Sequence, residues 1–231
     1  MVPKMPLPLS AFIICFNEED RIENCLRSLH MCAEIIVVDN GSTDATPEIV
    51  ARLTAEGLPI RFLQEDWRGY GAQKQFALEQ CSQPWLLSID SDERVSHKLA
   101  AVLPALLEDD SVAGWALTRF DYNNGFGYVP PSAHERYHNR LFRNGKGWFD
   151  PTDKVHEGLR IDGTVKKARP GGLLHFSPIP LHERMLKENK YSTLKAQMKR
   201  ARGKRPSPAK MLVSPVIFML RWYLRHGLWR C

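Results

Sequence analysis

The residues best suited to chemistry lie together at Ser88-Ile89-Asp90-Ser91-Asp92-Glu93. Carboxylates at positions i and i+2 project to the same side of extended backbone, so Asp90 and Asp92 can converge on one divalent cation. A single D-x-D also fits a solvated turn. Its weight rises because Asp39 closes another apolar run and Asn17-Glu18-Glu19 follows a third. If those runs are neighbouring parallel strands, all three polar groups meet where such sheets bind ligands, beyond the carboxyl ends of the strands.

The apolar runs read that way. Leu9 to Phe16 and Glu34 to Asp39 are short, rich in β-formers and end in polar residues, as buried parallel strands do. Between them Ile22, Leu26 and Leu29 recur at spacings of four and three, the pattern of an amphipathic helix. The unit repeats: Asp39 to Asp44 turns into a helix carrying Ile49, Val50 and Leu53, and Pro59 to Leu63 is a third strand. A helix over Gly69 to Gln80, with Phe76 and Ala77 inward, then leads to a fourth strand, Trp85 to Ile89. Alternation with connections this short predicts an α/β fold, a mostly parallel sheet flanked by helices. From Val112 to about Pro180 the regularity fades, with strand-like stretches at Trp115 to Phe120, Arg140 to Phe142 and Leu173 to Phe176. Residues 1–180 are expected to form one domain, with 1–110 as its regular α/β half and 111–180 as a substrate-shaping half.

Composition bounds the class. With 231 residues, 43% of them hydrophobic and 25% charged, the chain suits one globular domain with a small appendage. Five cysteines, none in a C-x-x-C pair, fit a reducing cytoplasmic setting, and nothing at the N-terminus reads as a signal peptide. The net charge of +6 is uneven: residues 181–231 hold 13 Lys and Arg against 2 Glu, while the other 180 residues hold 19 basic and 24 acidic ones. In that tail the cations interleave with Met211 to Leu220, Trp222, Tyr223 and Trp229. This favours an anionic membrane interface over nucleic acid. The uncharged run Met211 to Leu220, which includes Ser214 and Pro215, is too short to span a bilayer, which takes about 20 residues. The tail is expected to lie along the inner face of the membrane; packing of its apolar face against the catalytic domain is the alternative.

Two other motifs mislead. His134-Glu135-Arg136-Tyr137-His138 matches the H-E-x-x-H zinc pattern, which works only on a helix, yet Pro130-Pro131 precedes it and strand-and-turn residues follow. Gly69-Tyr70-Gly71 begins a dinucleotide fingerprint, but Lys74 stands where the third glycine is required.

Taken in order, Cys15-Phe16-Asn17-Glu18-Glu19, Ile35 to Asp44 and Ser88 to Glu93 resemble the family 2 glycosyltransferases of the GT-A fold. Arg140-Leu141-Phe142-Arg143, Val155-His156-Glu157, Asn189 to Thr193 and Ala201 to Arg205 look like the subgroup of β-1,4-glucosyltransferases acting on the lipopolysaccharide inner core. The resemblance implies an inverting, metal-dependent transfer of a hexose, glucose above all, from a UDP-sugar to a lipid-linked saccharide, with Mg²⁺ or Mn²⁺ as cofactor. It implies that Asp39 contacts the uridine, Asp90 lies near the ribose or the metal, and Asp92 binds the metal. The backbone around Asn17 and Glu19 would line the nucleotide pocket, and Lys74 and Arg140 would assist at the phosphates. Glu157 is the expected proton acceptor with Asp153 as its competitor, and His156 is a further metal or phosphate contact. The rival readings are transfer to a polyprenyl phosphate or another surface-polysaccharide precursor, and a catalytically silent membrane scaffold.

Overall fold

The computed structural model describes residues 5–123, 127–128, 136–151 and 158–176, then isolated positions between 185 and 203 and the stretch 207–225. The chain divides into two compact units, residues 1–177 and 178–231.

In the first unit, β1 (Leu7–Cys15), α1 (Ile22–Arg27), β2 (Cys32–Asp39), α2 (Thr46–Ala55), β3 (Ile60–Gln64), α3 (Tyr70–Glu79) and β4 (Trp85–Ser88) alternate as the sequence predicts. There follow β5 (Glu93–Val95), α4 (His97–Glu108), β6 (Gly114–Asn123), β7 (Gly127–Tyr128), β8 (Arg136–Arg143), β9 (Gly147–Trp148), β10 (Arg160–Ile161) and β11 (Val165–His175). The main sheet runs β3-β2-β1-β4-β8-β6-β11-β5, with β7 beside β6 and a separate β9–β10 pair. Strands β3, β2, β1 and β4 are mutually parallel. The second half is mixed: β8 lies antiparallel between β4 and β6, while β11 runs parallel to β6 and antiparallel to β5.

The apolar runs are continuous because both sheet faces are covered. In β1 and β2, Leu9, Ala11, Ile13, Ile35 and Val37 join the core formed with α1, α2 and α4. Their alternate neighbours Phe12, Ile36 and Val38 pack on the other face with Ala77 and Leu78 of α3 and with Phe142. Fully burying side chains of this size stabilises by roughly 1.5–3 kcal/mol each. Helix α4, which the sequence reading left unassigned, buries Leu99, Leu103 and Leu107 at spacings of four, and the Ser96 hydroxyl caps it by accepting from Leu99 N at 3.2 Å.

One glycine governs how the second half reaches the site. A Cβ on Gly172 would lie 2.1 Å from the Thr118 carbonyl oxygen, so only glycine lets β11 press this closely on β6 after its register irregularity. Beyond it, His175 pairs in register with Asp121. His138 belongs to strand β8, which removes the helix that a zinc H-E-x-x-H would need.

The second unit contains the 18-residue helix Pro208–Arg225. Its Met211, Leu212, Phe218, Met219 and Leu224 are all exposed. No helix among the described residues is long and apolar enough to cross a membrane.

Candidate active site

The carboxyl ends of β1, β2 and β4 open on a cavity of about 780 Å³. Its wall takes Ile14, Cys15, Phe16 and Glu18 from the end of β1, Asn40 after β2, and Trp67, Tyr70, Gln73 and Lys74 from the β3–α3 segment. Asp90, Ser91 and Asp92 complete it after β4, with His175 from the end of β11.

The loops after β1 and β2 are stitched together. Asn17 holds φ at 53°, in the left-handed region, and its Oδ1 accepts from Thr43 N at 2.8 Å while its own N–H donates to Ser42 Oγ at 2.8 Å. Glu19 Oε2 accepts from Ala45 N at 2.9 Å, and Glu19 N donates to Asp44 Oδ2 at 3.0 Å. Asn17 and Glu19 therefore brace the rim, and their neighbours Phe16 and Glu18 form the wall.

Asp39 is drawn into the loop that follows β2. It is 0% exposed, and its carboxylate accepts from Gly41 N at 3.0 Å, Ser42 N at 2.9 Å and the Ser42 hydroxyl. The Cys15 thiol adds a contact at 3.6 Å; burial, then the Asp39 charge, drives that thiol's pKa far up. These bonds make Asp39 the brace of the loop, and Asn40, one residue on, lines the cavity.

Asp90 sits between two cations, Lys74 Nζ at 2.9 Å and Arg140 Nη2 at 2.7 Å. Arg140 also reaches Glu93 Oε1 at 3.0 Å, and Glu93 Oε2 accepts from Asp90 N at 3.1 Å. Burial alone would raise the Asp90 pKa, but the Arg140 and Lys74 charges outweigh it and hold the carboxyl well below the usual range. Both Asp90 oxygens are engaged by cations, so Asp90 anchors the turn while it lines the cavity. Arg140 is buried and holds Asp90 from outside the cavity lining. Lys74 stays on the wall while paired to Asp90.

Asp92 has a different partner. Its Oδ2 lies 3.1 Å from His175 Nε2, and His175 Nδ1 lies 2.9 Å from Asp121 Oδ1. Burial lowers the His175 pKa, yet the two flanking carboxylates outweigh it and push it up to about 9. The sequence reading missed His175 and Asp121. Both obey the strand-end rule that flagged Asp39, since His175 closes the apolar pair Leu173-Leu174, but nothing local ties them to Asp92, 83 residues away from His175.

No cluster of three His, Cys, Asp or Glu suited to a metal exists among the described residues. The donor set nevertheless fits a divalent ion that takes its remaining ligands from water and substrate. Mg²⁺ and Mn²⁺ sites commonly use one or two protein groups with phosphate oxygens. Here a carboxylate and an imidazole nitrogen sit side by side on the cavity wall, Asp121 backs the ring as carboxylates do for metal-binding histidines, and a bound ion would displace the proton that the two carboxylates otherwise hold on it. Glu157, Asp153 and His156 lie outside the described residues.

Comparison with known proteins follows this geometry. The profile of Glycosyl transferase family 2 matches residues 10–158. The chain is 53% identical over 232 residues to the lipopolysaccharide core biosynthesis glycosyltransferase LpsC of Rhizobium meliloti (strain 1021), covering 100% of this chain and 85% of LpsC. An uncharacterised glycosyltransferase of Rickettsia bellii is 29% identical, covering 94% of this chain and 74% of its own length. Among structures, S. aureus TarS 1-349 in complex with UDP-GlcNAc superposes with a TM-score of 0.60 at 19% identity, covering 76% of this chain and 60% of TarS. The mannosyltransferase PcManGT of Pyrobaculum calidifontis, in complex with GDP-Man and Mn²⁺, gives a TM-score of 0.55 at 16% identity over 97% of this chain and 73% of its own.

Proposed function

The chain belongs to the family 2 glycosyltransferases and has their GT-A fold, and from that premise we propose that it moves a hexose, glucose in the first instance, from a UDP-sugar to a lipid-linked saccharide of the lipopolysaccharide core. The observation that carries this reading is the Asp92–His175–Asp121 chain on the wall of a cavity of about 780 Å³ at the sheet's carboxyl edge. The identity with LpsC over the full chain supports the acceptor class.

The residues divide the work by their charge state. Asp92 and His175 would hold Mg²⁺ or Mn²⁺, which when bound neutralises charge building on the departing diphosphate. Asp121 keeps the imidazole oriented so that Nε2 faces the cavity. Lys74 and Arg140 fix Asp90, and with it the turn that carries Asp92, so the ligand group is in place before substrate arrives. Inversion by direct displacement needs a carboxylate to take the acceptor hydroxyl's proton as attack occurs, the role proposed for Glu157, with Asp153 as the alternative.

The tail supplies the acceptor's surface. On the helix Pro208–Arg225, Lys210, Ser214 and Arg221 fall on one narrow line, Ser214 and Arg221 lying four and eleven residues after Lys210, and apart from the final Arg225 the rest is apolar or aromatic. Such a helix suits the headgroup boundary of an anionic membrane, lying in its plane, and the proposal assigns the enzyme to the inner face of the cytoplasmic membrane.

The deciding experiment incubates the full chain with Mn²⁺, nucleotide-sugars and truncated core lipids, read by mass. A hexose added from UDP-glucose, lost in Glu157→Gln while UDP binding persists, supports the reading; no transfer from any UDP-hexose refutes it. Flotation with anionic vesicles should require residues 204–231, and equal flotation without them would return the tail to a packing role.

A further inference from the structure

Gln73 is 1% exposed, yet it lines the cavity. Its Nε2 donates to the Glu65 backbone carbonyl at 3.1 Å. A carbonyl can only accept, so this bond fixes the amide with nitrogen toward Glu65 and leaves Oε1 at the other end. That oxygen is buried and has no hydrogen-bond partner among the described residues. An acceptor removed from water without a donor destabilises the fold, and natural proteins rarely keep one without a use. On the wall of a ligand-sized cavity, the use is a donor carried by the ligand.

The position of Gln73 identifies the part of the ligand. The next residue, Lys74, turns to Asp90 on the β4 side, whereas Gln73 is tied to Glu65, just past β3. Trp67 and Tyr70 of the same β3–α3 segment and Phe16 after β1 are each about half exposed (47%, 50% and 51%), a set of aromatic rings open to one cavity. Trp67 and Tyr70 meet edge to face, with centroids 4.7 Å apart at 87°, which leaves flat ring surface available for stacking. Asn40 contributes a second buried side-chain oxygen without a partner among the described residues. Flat faces beside a buried acceptor suit a planar heterocycle bearing a ring N–H, and the diphosphate belongs with Asp92 at the other end.

We propose that Gln73 reads the nucleobase of the donor: its Oε1 accepts the ring imide N–H of uracil while Trp67, Tyr70 and Phe16 supply the stacking surface. Cytosine, whose corresponding ring nitrogen carries no hydrogen, would leave the Gln73 oxygen unpaired and is rejected. This rests on the reading of the cavity as a nucleoside diphosphate site and adds the residue that sets its base selectivity.

The test is titration calorimetry of the full chain with Mn²⁺ and three probes: UDP, CDP, and UDP methylated at the base N3. In the wild type UDP should bind tighter than either other probe by about tenfold, the scale of one neutral hydrogen bond. In Gln73→Met that preference should shrink to within about threefold, chiefly by weaker UDP binding. Equal binding of UDP and its N3-methyl form by the wild type would overturn the proposal. So would a Gln73→Met protein that weakens all three probes by one common factor, since that outcome marks Gln73 as a brace for the Glu65 loop alone. The wild-type comparison of UDP with its methylated form decides the matter even if the variant does not fold. Failure of every nucleotide to bind would refute the donor-site reading itself, a result distinct from binding without base preference.

Discussion

At the amino end of the parallel strands Glu34 is buried, and its Oε2 accepts from Ser10 Oγ at 2.5 Å, Ser82 N at 2.8 Å and Ser82 Oγ at 3.1 Å, while Oε1 meets Arg61 at 3.0 Å. At the carboxyl end Asp92 Oδ2 meets the His175 ring at 3.1 Å across the wall of a cavity. The first carboxylate is saturated by donors that the fold supplies, and it locks β1, β2 and the turn before β4 together. The second is partnered by a group that can itself bind a metal. The sheet thus uses the same chemistry for rigidity at one end and for exchangeable contacts at the other. Asp90 stands between the two cases, at the working end but saturated by cations like Glu34.

The contrast can be broken at several points. The largest effect is expected at Arg140, because Arg140→Met leaves the buried Glu93 beside Asp90 with one cation fewer. Unfolding by denaturant should show a loss of about 3–5 kcal/mol, the cost of orphaning a buried charge. Asp92→Ala should do the reverse: little change in apo stability, but a fall in metal-dependent turnover on the order of 10²–10³, as when a group stabilising transition-state charge is removed. A variant as unstable as Arg140→Met would show that Asp92 belongs with the structural set. Asp121→Asn, which removes the charge orienting His175, should weaken Mn²⁺ binding by about 10- to 100-fold, read by Mn²⁺ titration.

Glu34→Gln gives the smallest effect, about 1–3 kcal/mol, and it carries a pH signature. Burial raises the Glu34 pKa, but bonds from Ser10, Ser82 and Arg61 outweigh that and set it below the usual carboxylate range. A lowered folded-state pKa adds stability that is complete above the unfolded value, about 4.3, and is lost as pH falls through the folded one. The gap between wild type and Glu34→Gln should therefore close on acidification and stay constant above about pH 6. A gap that persists in acid would mean that the Glu34 charge does no structural work.

Much of the fold could be read along the chain. The first four strands and three helices follow from apolar runs and 3.6-residue spacing, patterns set by neighbours within a dozen residues. The Asp90-Ser91-Asp92 turn was visible for the same reason, as a polar interruption at a strand end. Strands β6, β8 and β11 were legible only as fragments, because their pairing partners lie far away in sequence and their alternation is broken by register irregularities.

What the sequence determined by itself is therefore the parallel α/β half, the position of the D-x-D turn and the family's order of motifs. What only the tertiary structure decided is which acidic groups are free to act. Asp39 and Asp90 look as available as Asp92 in one dimension, yet backbone amides enclose the first and two cations hold the second. His175 joins Asp92 only because β11 runs parallel to β6 in a register that a glycine at 172 permits. Local patterns fix where backbone bends and which side chains seek burial; the partners a charge finds depend on distant segments meeting, and that is settled when the sheet closes.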